Sequence, residues 1–153
     1  MKAFTSIVTA IILSLVASAT IAGSFTNGSI TITDPWSRET PPGVSKAVAY
    51  MNIANNGDSD VTLTDAEVTK AGDVTLHQSK VDGDMVTMRL VEGGLTIPAG
   101  ESVSLEPRGY HFMLEDLDRG LVRNESVAMT VFFDGADAVN IKVQVKSMGA
   151  MDH

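Results

Sequence analysis

The chain has no cysteine among its 153 residues. This excludes disulfides, thiolate zinc sites, thiol catalysis, iron–sulfur clusters and the His/Cys blue-copper arrangement. Stability must come from a hydrophobic core, and the length suits a single domain with one substantial core. Basic residues are few: 11 Lys and Arg stand against 19 Asp and Glu, for a formal net charge of −8. A domain so charged has no electrostatic draw toward nucleic acid or anionic lipid. Histidine is scarce as well, with three in all. Long apolar runs are missing, since the longest, Ile7 to Val16, is too short to cross a membrane comfortably.

That run does fit a secretory signal. Met1-Lys2 supplies a basic start, and small residues follow at Ala17-Ser18-Ala19 and Thr20-Ile21-Ala22. Residues 1–22 are expected to be removed near Ala19 or Ala22, which puts the mature domain, 23–147, in the periplasm with no membrane insertion. No cysteine follows the apolar run to carry a lipid. Residues 148–153 read as a loose Met/His tail.

Between these ends the pattern is short strands punctuated by turns. Ser29–Asp34, Ala47–Ala54, Val61–Thr69, Val74–Lys80, Met85–Val91, Ser102–Glu106, Tyr110–Glu115, Ser126–Asp134 and Val139–Lys146 each carry strand character. Asp34-Pro35-Trp36 and Thr40-Pro41-Pro42-Gly43 read as breakers, Asn55-Asn56-Gly57-Asp58 as a turn, and Gly93-Gly94 as a flexible connection. No segment shows a convincing helical period. The fold class is therefore all-β, an antiparallel β-sandwich of cupredoxin or immunoglobulin type.

The chemistry concentrates between His77 and Met113. In Tyr110-His111-Phe112-Met113-Leu114 side chains alternate faces, so Tyr110, Phe112 and Leu114 point to the core and His111 and Met113 share the other side. With Asp82-Gly83 as the centre of a two-residue turn, His77 is expected opposite Met88. Thioether is a soft ligand that selects Cu(I) over zinc, calcium or magnesium. His77, Met88, His111 and Met113 would make a neutral set of four donors, suited to one monovalent soft ion that is later handed on. Met51 and Met129 read as core filler. Met85 is either packing or a nearby soft ligand. Met148, Met151 and His153 could form a second, weak copper site in the tail.

The same spacing resembles the periplasmic copper chaperone family called PCuAC. Asp34-Pro35-Trp36-Ser37-Arg38, Thr40-Pro41-Pro42-Gly43, Ile97-Pro98-Ala99-Gly100 and Pro107-Arg108-Gly109-Tyr110-His111 are similar to that family's motifs. The stretch Arg89–Tyr110 is one residue longer than usual, most simply through Gly93-Gly94. The resemblance implies a cupredoxin-like monomer that carries Cu(I) and passes it to copper-transfer proteins or to the copper-site subunit of a cytochrome c oxidase during its assembly. Two other readings stay open: a metal-free extracytoplasmic binding or adhesion sandwich, and a copper storage or resistance protein. An enzyme is not expected, because no nucleophile elbow, HExxH pair or phosphate loop is present.

Overall fold

Period-two alternation dominates the chain, and the computed structural model, which describes residues 23–149, turns it into strands throughout. The signal segment expected over 1–22, with its cleavage position, and Met151 and His153 of the tail lie outside the described residues. The strands are β1 (Ser24–Asn27), β2 (Ile30–Arg38), β3 (Ala47–Asn55), β4 (Val61–Val68), β5 (Asp73–Asp82) and β6 (Met85–Leu90). They continue with β7 (Leu95–Ile97), β8 (Ser102–Leu105), β9 (Tyr110–Glu115), β10 (Ser126–Asp134) and β11 (Val139–Lys146). The described residues contain no helix.

The expected all-β sandwich is what forms. Hydrogen bonding runs in the order β6-β5-β9-β8-β3-β2-β11-β10-β4-β7, with β1 paired to β2 and β9 also to β3. Two pairings, β11 with β2 and β8 with β9, are parallel, so the sheet is mixed. The path folds over one apolar core. Ile30, Ile32, Ile53 and Phe112 meet Leu63, Val131, Ile141 and Val143 in that cluster, all fully or almost fully buried. Met51 and Met129 belong to it, as the sequence suggests.

Three local features differ from the sequence reading. Asp34-Pro35-Trp36 does not break the strand: β2 runs on to Arg38 through a register shift between Thr33 and Trp36, with Asp34 at φ 50°. A bulge is where a sheet tolerates a proline that cannot donate. It delivers Trp36 to a buried position against Tyr50, with ring centroids 4.7 Å apart. Secondly, two strands are additional to those expected: Ser24–Asn27, pairing with β2, and Leu95–Ile97, pairing with β4. Thirdly, Gly93-Gly94 is no loose connection. Gly94 has φ +84°, and a Cβ there would sit 2.4 Å from the Leu63 carbonyl oxygen. Only glycine allows the chain to pass that close to β4.

Candidate metal centre

The site is laid out by the pairing of β5 with β9. Along β5, Val74 and Leu76 are buried in the core, and along β9 Phe112 and Leu114 are. Alternation sends Thr75 and His77, and His111 and Met113, to the other face. The register sets His77 opposite His111 and Thr75 opposite Met113. Four side chains thus occupy the corners of one rectangle. Opposed residues have Cβ atoms roughly 4.5–5.5 Å apart.

The two imidazoles stand with ring centroids 5.8 Å apart and planes 36° to one another. Two imidazoles bound to one ion through metal–nitrogen bonds of about 2 Å have centroids roughly 5–6.3 Å apart, depending on the angle between the bonds. The spacing suits a shared ion without movement of the strands.

Hydrogen bonding sharpens this. His111 Nδ1 lies 3.2 Å from the Gly109 carbonyl oxygen. A carbonyl can only accept, so Nδ1 carries the proton and Nε2 keeps a bare lone pair. His111 is only 3% exposed, although its face points away from the main core, and its Nε2 has no partner. His77 Nδ1 and Thr75 Oγ1 are likewise buried and unpartnered, and among the described residues these three are the only such side-chain nitrogens and oxygens. Leaving a buried polar atom unsatisfied costs about 1–3 kcal/mol. All three fall on two neighbouring strands and one face. Burial pushes the His111 pKa below the ordinary 6.5; the Gly109 hydrogen bond opposes this, and the neighbouring His77 adds to the lowering. The ring is therefore neutral near pH 7, the form in which imidazole ligates.

Met88 is where the expected pairing fails. It stands opposite Ser79, and His77 faces Leu90. The reason lies in the turn. Asp82 pairs with Met85, leaving Gly83 and Asp84 as the central residues, and Gly83 alone of the two has a positive φ, at 60°. Glycine at the first central position is the requirement of a type II′ turn, whereas Asp82-Gly83 would put an aspartate there. Met88 ends up diagonal to His77, still on the same face, and is 50% exposed. Diagonal neighbours are roughly 7–8 Å apart at Cα, a span that methionine's three rotatable bonds can cover. Val81, Val86 and Leu90 share its face and are also exposed, so the edge hairpin shows solvent an apolar strip running up to the imidazoles. Met85 is exposed on the opposite face, away from the site. Of the tail, Met148 is exposed, its backbone N–H donating to Glu39 Oε1 at 3.2 Å.

The structure therefore brings together His77, His111 and Met113 and keeps Met88 one row away. It adds Thr75, which sequence reasoning missed. Threonine in a strand is ordinary, and only the β5–β9 register reveals that it sits across from Met113. Chemically, two imidazole nitrogens and a thioether offer a donor set without a formal negative charge, suited to a soft ion.

The chain is an all-β sandwich with paired imidazoles and a thioether on one outer face, and comparison with known proteins identifies its family. It belongs to the LpqE-like family, whose model ("Putative lipoprotein LpqE-like") matches residues 30–145, and it is a PCuAC-type domain. A relative from Leifsonia xyli subsp. xyli (strain CTCB07), "Putative lipoprotein Lxx21020", is 26% identical over 132 residues, covering 86% of this chain and 78% of its own. Among solved structures, the apo PmoF2 PCuAC domain is 25% identical with a TM-score of 0.69, over 86% of this chain and 100% of that one. The solution structure of the copper(I) form of DR1885 from Deinococcus radiodurans is 30% identical with a TM-score of 0.59, over 73% of this chain and 74% of that one.

Proposed function

We propose that this domain is an extracytoplasmic copper(I) chaperone, binding one Cu(I) per chain through His77, His111 and Met113, with Met88 as the fourth ligand. The observation that carries this is the opposed pair of imidazoles, His111 buried and His77 half-buried, each with a shielded, unpartnered nitrogen, beside a thioether. The copper(I) form of DR1885 supports the identity of the ion. A neutral set without thiolate holds Cu(I) well enough to carry it and loosely enough to yield it to a cysteine-bearing acceptor. Met88, half exposed on an edge strand, is the ligand an incoming acceptor can displace first. The role is carriage in the periplasm, without catalytic turnover, toward assembly of a copper centre such as that of cytochrome c oxidase. The partners are other copper-transfer proteins or the oxidase subunit itself. Met148, Met151 and His153 give the tail a weaker second copper site.

A competitive Cu(I) titration of the mature protein tests this. One equivalent should bind, His77→Ala should weaken it sharply and Met88→Leu should weaken it less, all with the domain folded. Transfer of the ion to a candidate acceptor is then measured directly. Wild-type affinity in both variants would remove the site.

A further inference from the structure

Thr75 is the unexplained corner of the rectangle. Its hydroxyl is buried, has no hydrogen-bond partner, and shares the face of the two unpartnered imidazole nitrogens. It stands directly opposite Met113 and two residues from His77 on the same side of β5. A methyl-bearing strand residue of the same shape, valine, would fill the position without the cost of a buried orphan oxygen. A hydroxyl there makes physical sense once something in the site can pair with it.

We infer that Thr75 is a ligand-anchoring residue: when an ion sits between His77, His111 and Met113, the Thr75 hydroxyl donates a hydrogen bond to a small exogenous ligand, water or halide, that completes the ion's coordination whenever Met88 is away. This rests on the copper(I) reading above. The hydroxyl is both donor and acceptor, so it can serve an anionic or a neutral ligand by rotating its proton. The site then has two ways to fill its last position. Met88 closes it with sulfur, and the anchored ligand holds it open to exchange without losing the ion.

The test uses the mature protein with Thr75→Val, Thr75→Ser, Met88→Leu and the Thr75→Val/Met88→Leu double variant. Without copper, Thr75→Val should melt about 3–5 °C above wild type, because a methyl replaces an unpaired hydroxyl. With Cu(I), X-ray absorption of Met88→Leu should show one oxygen or chloride neighbour, the two scatterers telling water from halide. The double variant should lose that neighbour and bind Cu(I) about tenfold more weakly than Met88→Leu, the loss expected for one hydrogen bond. Thr75→Ser should keep both. The inference is overturned if Thr75→Val melts below wild type, which would mean the hydroxyl has a structural partner in the empty protein. It is equally overturned if Met88→Leu and the double variant share the same affinity and scatterers. Failure of wild type to bind Cu(I) at all would sink the chaperone reading as well, whereas binding indifferent to Thr75 would sink this inference alone.

Discussion

Replacing His111 by leucine should make the empty protein more stable and leave it blind to copper. In the empty domain the imidazole makes one hydrogen bond, to the Gly109 carbonyl at 3.2 Å. That carbonyl also accepts from the Ser79 N–H at 2.9 Å, so losing His111 strands no backbone group. The loss is about 0.5–1 kcal/mol. Against it, the variant no longer buries a bare Nε2, whose desolvation costs about 1–3 kcal/mol. The balance favours the variant by about 1 kcal/mol, a rise of roughly 3–5 °C in melting temperature for a domain of this size. Copper reverses the order. At a free Cu(I) concentration one hundred times the dissociation constant, wild type gains about 2.7 kcal/mol and the variant almost nothing. Thermal unfolding of both proteins, with and without Cu(I) under a defined reductant and competitor, reads all four values. A variant that melts below wild type in the absence of copper would refute the reasoning, since His111 would then be a satisfied structural residue. So would a copper-induced shift that survives the substitution.

Three further outcomes are expected. Burial lowers the His111 pKa below 6.5, so the folded state binds fewer protons than the unfolded one. Apo stability should be flat above about pH 6.5 and fall below it until the depressed pKa is passed, and denaturation midpoints between pH 5 and 8 should show this dependence reduced in His111→Leu. For Glu125 the partial burial would raise the pKa, but it is outweighed by hydrogen bonds from Lys70 at 2.8 Å, the Val122 N–H at 2.8 Å and Arg119 at 3.0 Å, which hold it at about 2. A depressed carboxylate contributes fully above its unfolded pKa of 4.5 and loses that contribution as pH falls toward about 2. After discounting for solvent screening, Glu125→Gln should cost about 1–2 kcal/mol at neutral pH in urea unfolding and flatten the acid limb between those pH values. Finally, Gly94→Ala should cost at least about 2 kcal/mol through left-handed strain and the clash with Leu63. Gly93→Ala, with φ +78° and open space around it, should cost only the strain, about 1–2 kcal/mol; equal effects in chemical denaturation would refute the close-approach argument.

The His-x-Met on β9 was legible because alternation along a strand needs no knowledge of its partners. Phe112 and Leu114 buried on one side carry His111 and Met113 to the other by covalent geometry alone. The His77–Met88 pairing was not legible, because register depends on which two residues centre the turn. Asp-Gly and Gly-Asp both make tight hairpins, and the choice between them slides every opposed pair along by one row. The bulge at Asp34-Pro35 was hidden by the same limit: proline reads as a stop unless the neighbouring strand tolerates a missing donor. Thr75 had no sequence signal, since its hydroxyl matters only through what faces it.

The shifted register bears on how such a site could both hold and release its cargo. Directly opposite His77, Met88 would share a row with both imidazoles; in the observed register it stands one row further off. Three of the donors sit on β5 and β9, inside the sheet and bonded on both sides, while the fourth rides on β6, an edge strand exposed along its length. An edge strand has hydrogen bonds on one flank only, so it opens at lower free energy than the strands behind it. Opening that costs little can remove one ligand without disturbing the other three. If this division governs transfer, tying β6 to β5 with an engineered disulfide placed beyond the Val81–Val86 pair should slow the passage of Cu(I) to an acceptor while leaving the equilibrium affinity nearly unchanged. A tied hairpin that transfers at the wild-type rate would show that the ion leaves by another side.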